Sequence, residues 1–346
     1  MSTTHERPGV YSVYEASGTV SAGARNGVAA IAAVSEGGEK GSLYSLGSLA
    51  EAEAAFGSGD PLAELVGLLM RNGAARALAV PVEKKEDYAG AFALLAGQED
   101  VKVMVCDSTE TEVQQALRES VKEASQVQRE RIAVVCGGAE ETVTALVQRA
   151  KELNSERVVL VAPADHEGNP AAVAAAVAGA ICGETDPAVP LGGAVLLGLA
   201  GLNARFNESD IDTLIRGGVT PVETVGGQCS VVRGVTTRTK TETGDAVDDT
   251  WRELSTILVV DDVVPTVRNA LRSRFARAKN TAQVRGAIRS QVIVELERKL
   301  AAEIITGYGE VTAQQAEGNP TVCQVEFSFT VAHGLNQIWL KAQITV

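Results

Sequence analysis

The stretch that decides the fold spans residues 131–162 and reads RIAVVCGGAEETVTALVQRAKELNSERVVLVA. It begins with an apolar run, turns at Gly137 and Gly138, continues with a helical pattern and ends with a second apolar run at 157–162. A strand that is apolar at successive positions is typical of a largely parallel sheet covered on both faces. The stretch therefore predicts one strand, helix, strand unit of a layered α/β domain.

The same alternation continues on both sides of this unit. Strand patterns occupy residues 76–82, 101–106, 132–136 and 157–162. Helical patterns occupy residues 61–71, 88–96, 109–127, 140–153 and 170–182. We therefore predict one α/β domain over residues 25–204, with helices packed on a mostly parallel sheet.

The second half of the chain has a different pattern. Residues 208–215 resemble a short helix, 228–239 and 255–260 resemble strands, and 265–305 support one or two long helices. In those long helices apolar residues recur every four positions along one face, which is typical of a core-facing stripe. The members of the stripe are Val284, Ile288, Val292, Leu296 and Leu300. We predict a C-terminal α+β domain over residues 205–320, which makes the chain α/β with an α+β part.

The two ends have strand patterns of their own. Residues 321–346 contain two runs that alternate apolar and polar side chains, so we predict a two-stranded ribbon there. Its apolar positions include Val325, Phe327, Phe329, Val331, Ile338, Leu340 and Ile344. Residues 1–24 form a second predicted arm with its linker, and glycine-containing segments join both ends to the body.

Composition excludes several classes of function. The 346 residues carry a net charge of −13, which disfavours nucleic acid and anionic membranes as partners. The five cysteines are widely spaced with no C-x-x-C pair, so we expect reduced core residues rather than a zinc site or a disulfide framework. The polar N-terminus lacks the pattern of a secretory signal, and the apolar stretches at 171–182 and 194–202 are too short to span a bilayer. We expect a protein of the bacterial cytoplasm with no membrane insertion.

Catalytic motifs are weak. The turn at Gly137 and Gly138 could seat a phosphate, but it is neither G-x-G-x-x-G nor a Walker A loop, and the following glutamates would repel phosphate. Two groups of aspartates could hold a cation, but neither has the pattern of a calcium loop. The first group is Asp245, Asp248 and Asp249, and the second is Asp261 and Asp262. No histidine lies in a nucleophile motif. We predict no catalytic residue, no metal and no cofactor.

One segment has a strong positive charge. Between residues 266 and 300, nine basic residues against two acidic ones give a charge of +7, so the rest of the chain carries −20. The candidates for contact with an acidic partner are Arg268, Arg272, Arg274, Arg277, Lys279, Arg285 and Arg289. The plainer interpretation is a solvated helical face.

The order of motifs resembles a known family. The opening Arg7-Pro8-Gly9-Val10-Tyr11 is similar to the start of contractile phage tail sheath proteins. An α/β middle follows, then a strand ending Thr236-Thr237-Arg238-Thr239, and finally a strand containing Ile338-Trp339-Leu340. The stretch after Val189 departs from the family because it lacks the tryptophan and the Pro-Ala-Asn of the fuller pattern.

The resemblance implies a structural subunit of a phage tail, tailocin or related injection system. It implies hexameric rings stacked around an inner tube, with the tube, baseplate and tail terminator proteins as partners. It also implies that the terminal arms add strands to neighbouring subunits, which makes the arm residues the candidate assembly site. On the arms these are Pro8, Gly9, Val10, Tyr11, Val13, Val325, Phe327, Phe329, Ile338, Trp339, Leu340 and Ile344. The open alternatives are a nucleotide-binding α/β enzyme that uses Gly137 and Gly138, and another self-assembling tail component.

Overall fold

The structure, a computed structural model, describes residues 27–343 except 165–168, 170, 200, 242–243, 245 and 337. In that part of the chain the strands are β1 Val28–Val34, β2 Tyr44–Leu46, β3 Arg76–Val82, β4 Val101–Cys106, β5 Ile132–Cys136, β6 Val158–Ala162, β7 Val195–Leu196, β8 Val219–Val225, β9 Gln228–Val231, β10 Ile305–Tyr308, β11 Thr312–Gln315, β12 Cys323–Glu326 and β13 Phe329–Val331. The helices are α1 Leu49–Phe56, α2 Pro61–Arg71, α3 Asp87–Ala96, α4 Thr111–Gln126, α5 Val143–Leu153, α6 Ala172–Gly183, α7 Glu208–Arg216, α8 Leu254–Phe275 and α9 Ala282–Ala301.

A nine-stranded sheet organises the first two thirds of the chain. Its strand order is β2-β3-β1-β4-β5-β6-β8-β9-β7. The six strands from β3 to β8 in that order run parallel, whereas β2, β9 and β7 pair antiparallel at the two sides. The amino ends of the parallel strands therefore lie along one edge of the sheet, here called the amino edge.

Helices cover both faces of the sheet. Alternate residues of β1 point to opposite faces: Ala29 and Ile31 join the core under α1, α2 and α6, and Ala30 and Ala32 join the core under α3, α4 and α5. The fully buried strands predicted from successive apolar residues are thus confirmed for β5 and β6, whose every residue is buried. The α/β fold class is confirmed.

Small residues let α2 and α6 approach each other closely. A side chain added at Gly179 of α6 would lie 2.5 Å from the carbonyl oxygen of Leu69, and one at Gly183 would lie 2.9 Å from the Cα atom of Gly73. Half of the residues of α6 are alanine, and the helix is buried over nearly its whole length. In the described residues no helix has both the length and the apolarity needed to cross a bilayer.

The domain boundary predicted at residue 204 is wrong. Strands β8 and β9 lie beyond it, yet β8 pairs with β6 and β9 pairs with β8 in the same sheet. The sequence hides this continuity because a long connection containing α7 separates β6 from β8. The α/β body therefore extends to β9, and the helical C-terminal part begins with α8.

The strand predicted at residues 255–260 is also wrong, because these residues form the first turns of α8. Leu254, Ile257 and Val263 are buried at helical spacing, so a longer helical pattern competes with the short apolar run. The predicted helix start at Pro265 fails for the same reason, since Pro265 lies inside α8. Helix α9 agrees with the predicted stripe: Val292 and Leu296 are fully buried.

Candidate assembly surfaces

Helices α8 and α9 pack together and form a separate C-terminal core. Val259, Val263 and Val267 of α8 meet Val292 and Leu296 of α9 in this cluster. Residues in and between the last four strands complete the cluster, and they are Ile305, Tyr308, Val311, Val325, Phe327, Phe329 and Val331. The core fixes the hairpin, so its charged residues are presented in defined positions.

Several of the basic candidates hold this hairpin together. The guanidinium of Arg274 donates to the side-chain oxygen of Gln291, and Arg285 donates to Asn280 at 3.0 Å. Arg289 donates to the carbonyl oxygen of Val311 at 2.8 Å. These three arginines are therefore engaged within the subunit.

Three other basic candidates lie at the tip of the hairpin, around the turn between α8 and α9. Arg272, Arg277 and Lys279 are exposed, and their side chains make no ion pair or hydrogen bond within the described ranges. We call these three residues the basic tip. The sequence could not separate them from the engaged arginines, because that division depends on which side chains the hairpin brings together.

Helix α8 crosses the amino edge of the sheet and is held there by ion pairs. Arg157, just before β6, makes a bidentate pair with Asp261 of α8 at 2.8 and 3.0 Å. Glu130, just before β5, pairs with Arg268 at 2.5 Å. Both pairs are largely buried. Arg268, predicted as a contact for an external partner, is thus used to clamp the hairpin to the body.

The two carboxylates of this clamp respond differently to their surroundings. Burial raises the pKa of Asp261 above its usual value, although the hydrogen bonds from Arg157 oppose the shift. Burial also acts to raise the pKa of Glu130, but hydrogen bonds from Arg268 and the backbone outweigh it and hold that pKa below its usual value. The contribution of Glu130 to folding stability is therefore present at pH values above its pKa in the unfolded chain, and it is lost as the pH falls through its pKa in the folded protein. The contribution of Asp261 has the opposite dependence: it is present below the pKa of the unfolded chain and is lost as the pH rises through the pKa in the folded protein.

The predicted ribbon at residues 321–346 is wrong. Strand β12 pairs with β11, and β13 pairs with β10, in two separate antiparallel sheets. Residues 321–331 therefore belong to the C-terminal domain rather than to a free arm. Alternation alone could not reveal the partner strands, because β10 and β11 are each only four residues long and show no alternation of apolar and polar residues. Phe327 and Phe329 stack at 6.3 Å on the C-terminal core.

The last described residues carry exposed apolar side chains. Ile338, Trp339 and Leu340 are 80%, 90% and 93% exposed, and residues 338–343 form no strand. Ile344 lies outside the described residues. The front-arm candidates Pro8, Gly9, Val10, Tyr11 and Val13 also lie outside them.

The glycine turn considered for nucleotide binding packs against neighbouring residues of the α/β body. The backbone N–H of Gly137 donates to the carbonyl oxygen of Val161 at 3.2 Å, and a side chain there would lie 2.3 Å from Leu146. Thr142 caps the following helix by accepting from the N–H of Ala145 at 3.3 Å. The turn is an ordinary connection between strand and helix.

The acidic candidates for a cation are matched with basic side chains. Asp261 pairs with Arg157, Asp262 accepts from Lys299 at 2.5 Å, and Asp248 accepts from Arg238 at 3.2 Å. Asp245 lies outside the described residues. Over the described ranges, no three or more His, Cys, Asp or Glu side chains gather as metal ligands.

The cysteines have the surroundings of core residues. Cys106, Cys136, Cys182 and Cys229 are buried free thiols, and Cys323 is half-buried. Burial raises the pKa of both Cys136 and Cys182 to about 12, so these thiols stay protonated at neutral pH.

Sequence profiles identify the family. The profile described as "Phage tail sheath protein central domain" matches residues 83–237, and that described as "Phage tail sheath C-terminal domain" matches residues 246–345. The chain therefore belongs to the phage tail sheath family, whose members are structural proteins of contractile tails. The tail sheath protein of Bacillus phage SP01 is 26% identical over 253 residues, which cover 70% of this chain and 43% of that protein. The chain thus spans less than half the length of this relative.

Solved structures share the fold at low sequence identity. A chain of the anti-feeding prophage helical sheath in its contracted state matches with a TM-score of 0.72 and 17% identity, over 99% of each chain. A chain of the six-fold symmetrised baseplate of the same prophage matches with a TM-score of 0.74 and 17% identity, over 99% of this chain and 100% of that one. The sheath tail protein of Desulfitobacterium hafniense matches with a TM-score of 0.74 and 12% identity, over 98% and 100%.

Proposed function

We propose that this subunit polymerises as stacked hexameric rings around an inner tail tube and contracts to drive that tube through a target envelope. Membership of the sheath family supports the proposal, as do neighbours solved in a contracted helical sheath and in a six-fold symmetrised baseplate. The tube, baseplate and tail terminator are its proposed partners. The subunit is made in the bacterial cytoplasm and incorporated into the particle.

The observation that carries the proposal is the combination of short sheets and exposed apolar residues at the C-terminal end. Sheets of two strands are marginally stable alone, and each has edges that can accept a further strand. Ile338, Trp339 and Leu340 follow these sheets and are almost fully exposed. An exposed apolar segment beside open strand edges fits strand addition between copies.

Electron microscopy of the purified protein tests the proposal. Tubes or stacked rings of six subunits are the expected result. Other particles, such as isolated rings that never stack, would instead favour a different self-assembling tail component. Uniform monomers under conditions that assemble related sheaths would contradict the proposal.

The basic tip is proposed to dock on an acidic surface of the tube or of the next ring. Reversing Arg272, Arg277 and Lys279 to Glu should weaken assembly, with the larger effect at low salt, because exposed charges are less screened there. Sedimentation of polymers at several salt concentrations measures the effect. The matched control reverses Arg76, Lys151 and Arg205, three exposed cations on the α/β body.

Assembly of the tip variant with unchanged yield and unchanged salt dependence would remove the basic tip from the interface. Arg274 is left unaltered in this variant, because replacing it would remove its hydrogen bond to Gln291 and so change the stability of the hairpin.

The subunit is proposed to have no catalytic turnover. We expect purified protein to release no phosphate from ATP or GTP above the rate of a matched blank, since the N–H of Gly137 already donates to Val161 and the glutamates that follow the turn would repel phosphate. Hydrolysis that disappears on Gly138→Ala, with unfolding unchanged, would contradict this and favour the nucleotide-binding alternative.

A further inference from the structure

A cavity of about 610 Å³ lies between α8 and the amino edge of the sheet. Lys102 of β4, together with Arg129 and Arg131 just before β5, lines it from the body, and Arg272 lines it from α8. Binding sites for small molecules have volumes of roughly 300–1,000 Å³. We call this cavity the interdomain cleft, and its size suits a small ligand.

Arg131 is a buried cation that has no carboxylate partner among the described residues. It is only 1% exposed, and its guanidinium donates at 3.1, 3.0 and 2.8 Å to the carbonyl oxygens of Arg129, Leu95 and Gln98. Burial, together with the neighbouring charge of Arg129, lowers the pKa of Arg131 to about 10. A buried charge costs folding free energy unless an opposite charge compensates it, so this position favours an anion.

Three more cations line the cleft without a carboxylate partner in the described part of the chain. Lys102 donates to the carbonyl oxygen of Glu184 at 3.0 Å, and Arg129 donates to that of Ala96 at 3.2 Å. The side chain of Arg272 is exposed and makes no hydrogen bond or ion pair there. Burial lowers the pKa of Lys102 below its usual value, although acidic groups nearby act against the shift. The Glu184 carboxylate accepts from the backbone N–H groups of residues 185 and 186.

The cleft has an excess of positive charge once its ion pairs are counted. Five carboxylates line it, and they are Glu99, Asp100, Glu130, Asp261 and Asp262. Ion pairs neutralise three of them, and these are Glu130 with Arg268, Asp261 with Arg157, and Asp262 with Lys299. Glu99 and Asp100 are exposed and make no ion pair within the described ranges. Four cations against two carboxylates leave an excess of two positive charges.

We propose that the interdomain cleft binds a multivalent phosphate anion through Lys102, Arg131 and Arg272, with Arg129 beside them. Guanidinium groups match phosphate oxygens in a bidentate geometry, and two or more negative charges on the ligand balance the excess of the cleft. Because these cations come from both the body and α8, the bound anion strengthens the attachment of the hairpin to the body. The site does not depend on the proposed function.

Isothermal titration calorimetry of the purified protein with pyrophosphate tests the site, in metal-free buffer at an ionic strength held constant with chloride. We expect one saturable site per subunit. Arg272→Gln should weaken pyrophosphate binding about fivefold, because it removes an exposed ionic contact. Arg277→Gln is the matched control, since Arg277 belongs to the same basic tip but does not line the cleft, and it should leave the affinity unchanged.

A second variant has the opposite expected sign. Glu99→Gln should tighten pyrophosphate binding about threefold because it removes a like charge from the cleft, whereas Glu64→Gln, at an exposed carboxylate of α2, should have no effect. No saturable binding of pyrophosphate, or equal losses from Arg272→Gln and Arg277→Gln, would overturn the proposal. Because each subunit carries its own site, neither result depends on whether the protein forms tubes.

Discussion

Deletion of residues 337–346 is expected to give a folded monomer that no longer polymerises. Ile338, Trp339 and Leu340, the large apolar side chains of this segment that the structure describes, are almost fully exposed, so we expect the deletion to change the free energy of unfolding by no more than about 0.5 kcal/mol. Strand β13 keeps its partner, because it pairs with β10 rather than with the deleted residues. Thermal unfolding and electron microscopy of the same sample measure both effects.

A matched control for this deletion keeps the chain length. Replacing Ile338, Trp339 and Leu340 together by Ser should also abolish tubes, because strand addition uses apolar side chains for specificity as well as backbone hydrogen bonds. Tubes of normal yield from both variants would exclude the C-terminal segment from the interface. A large fall in melting temperature would instead indicate that the segment packs on its own subunit.

Deletion of residues 1–17 tests the front arm in the same way. We expect cooperative unfolding with an unchanged midpoint and no tubes, because this deletion leaves the whole described body intact. Tubes formed by this variant would show that the front arm is dispensable, and strand exchange would then be withdrawn for that end.

Four of the six parallel strands, β3, β4, β5 and β6, could be predicted from the sequence, whereas β1 and β8 were missed. The ranges predicted for β3, β4, β5 and α2 agree with the structure, because buried strands give continuous apolar runs and α2 begins with Asp60 as cap and Pro61 at its first position. The edge strand β2 was missed, since only three residues pair there. Short edge strands carry too few residues to give a period.

The assembly surfaces could be predicted only in part. Net charge located the basic segment, but the ion pair between Glu130 and Arg268 joins residues that are 138 positions apart. Alternation predicted a single strand over residues 325–331 and the wrong partner for it, whereas the structure has two strands there, β12 and β13, in different sheets. Pairing of strands and of charges depends on contacts between distant residues, which a local pattern does not contain.

The buried pair between Arg157 and Asp261 should be the most sensitive contact between α8 and the α/β body. Its side chains are only 12% and 14% exposed, so removing one partner leaves the other charge buried and uncompensated. We expect Arg157→Met and Asp261→Leu each to lower the free energy of unfolding by about 3 kcal/mol or more. Chemical denaturation of the monomer measures this.

The double variant separates the contribution of the ion pair to the free energy of unfolding from the contribution of the buried side-chain volume. Arg157→Met with Asp261→Leu should recover most of the loss, to within about 1 kcal/mol of the parent, because no isolated charge remains. The exposed pair between Asp212 and Arg216 is the control, and Arg216→Ala should cost no more than about 0.5 kcal/mol. If the single Arg157 or Asp261 variants cost no more than this control, apolar packing alone holds α8 on the sheet. A costly single variant rescued by the double one would show that the cost comes from burying one charge without its partner, and that the ion pair itself adds little net stability.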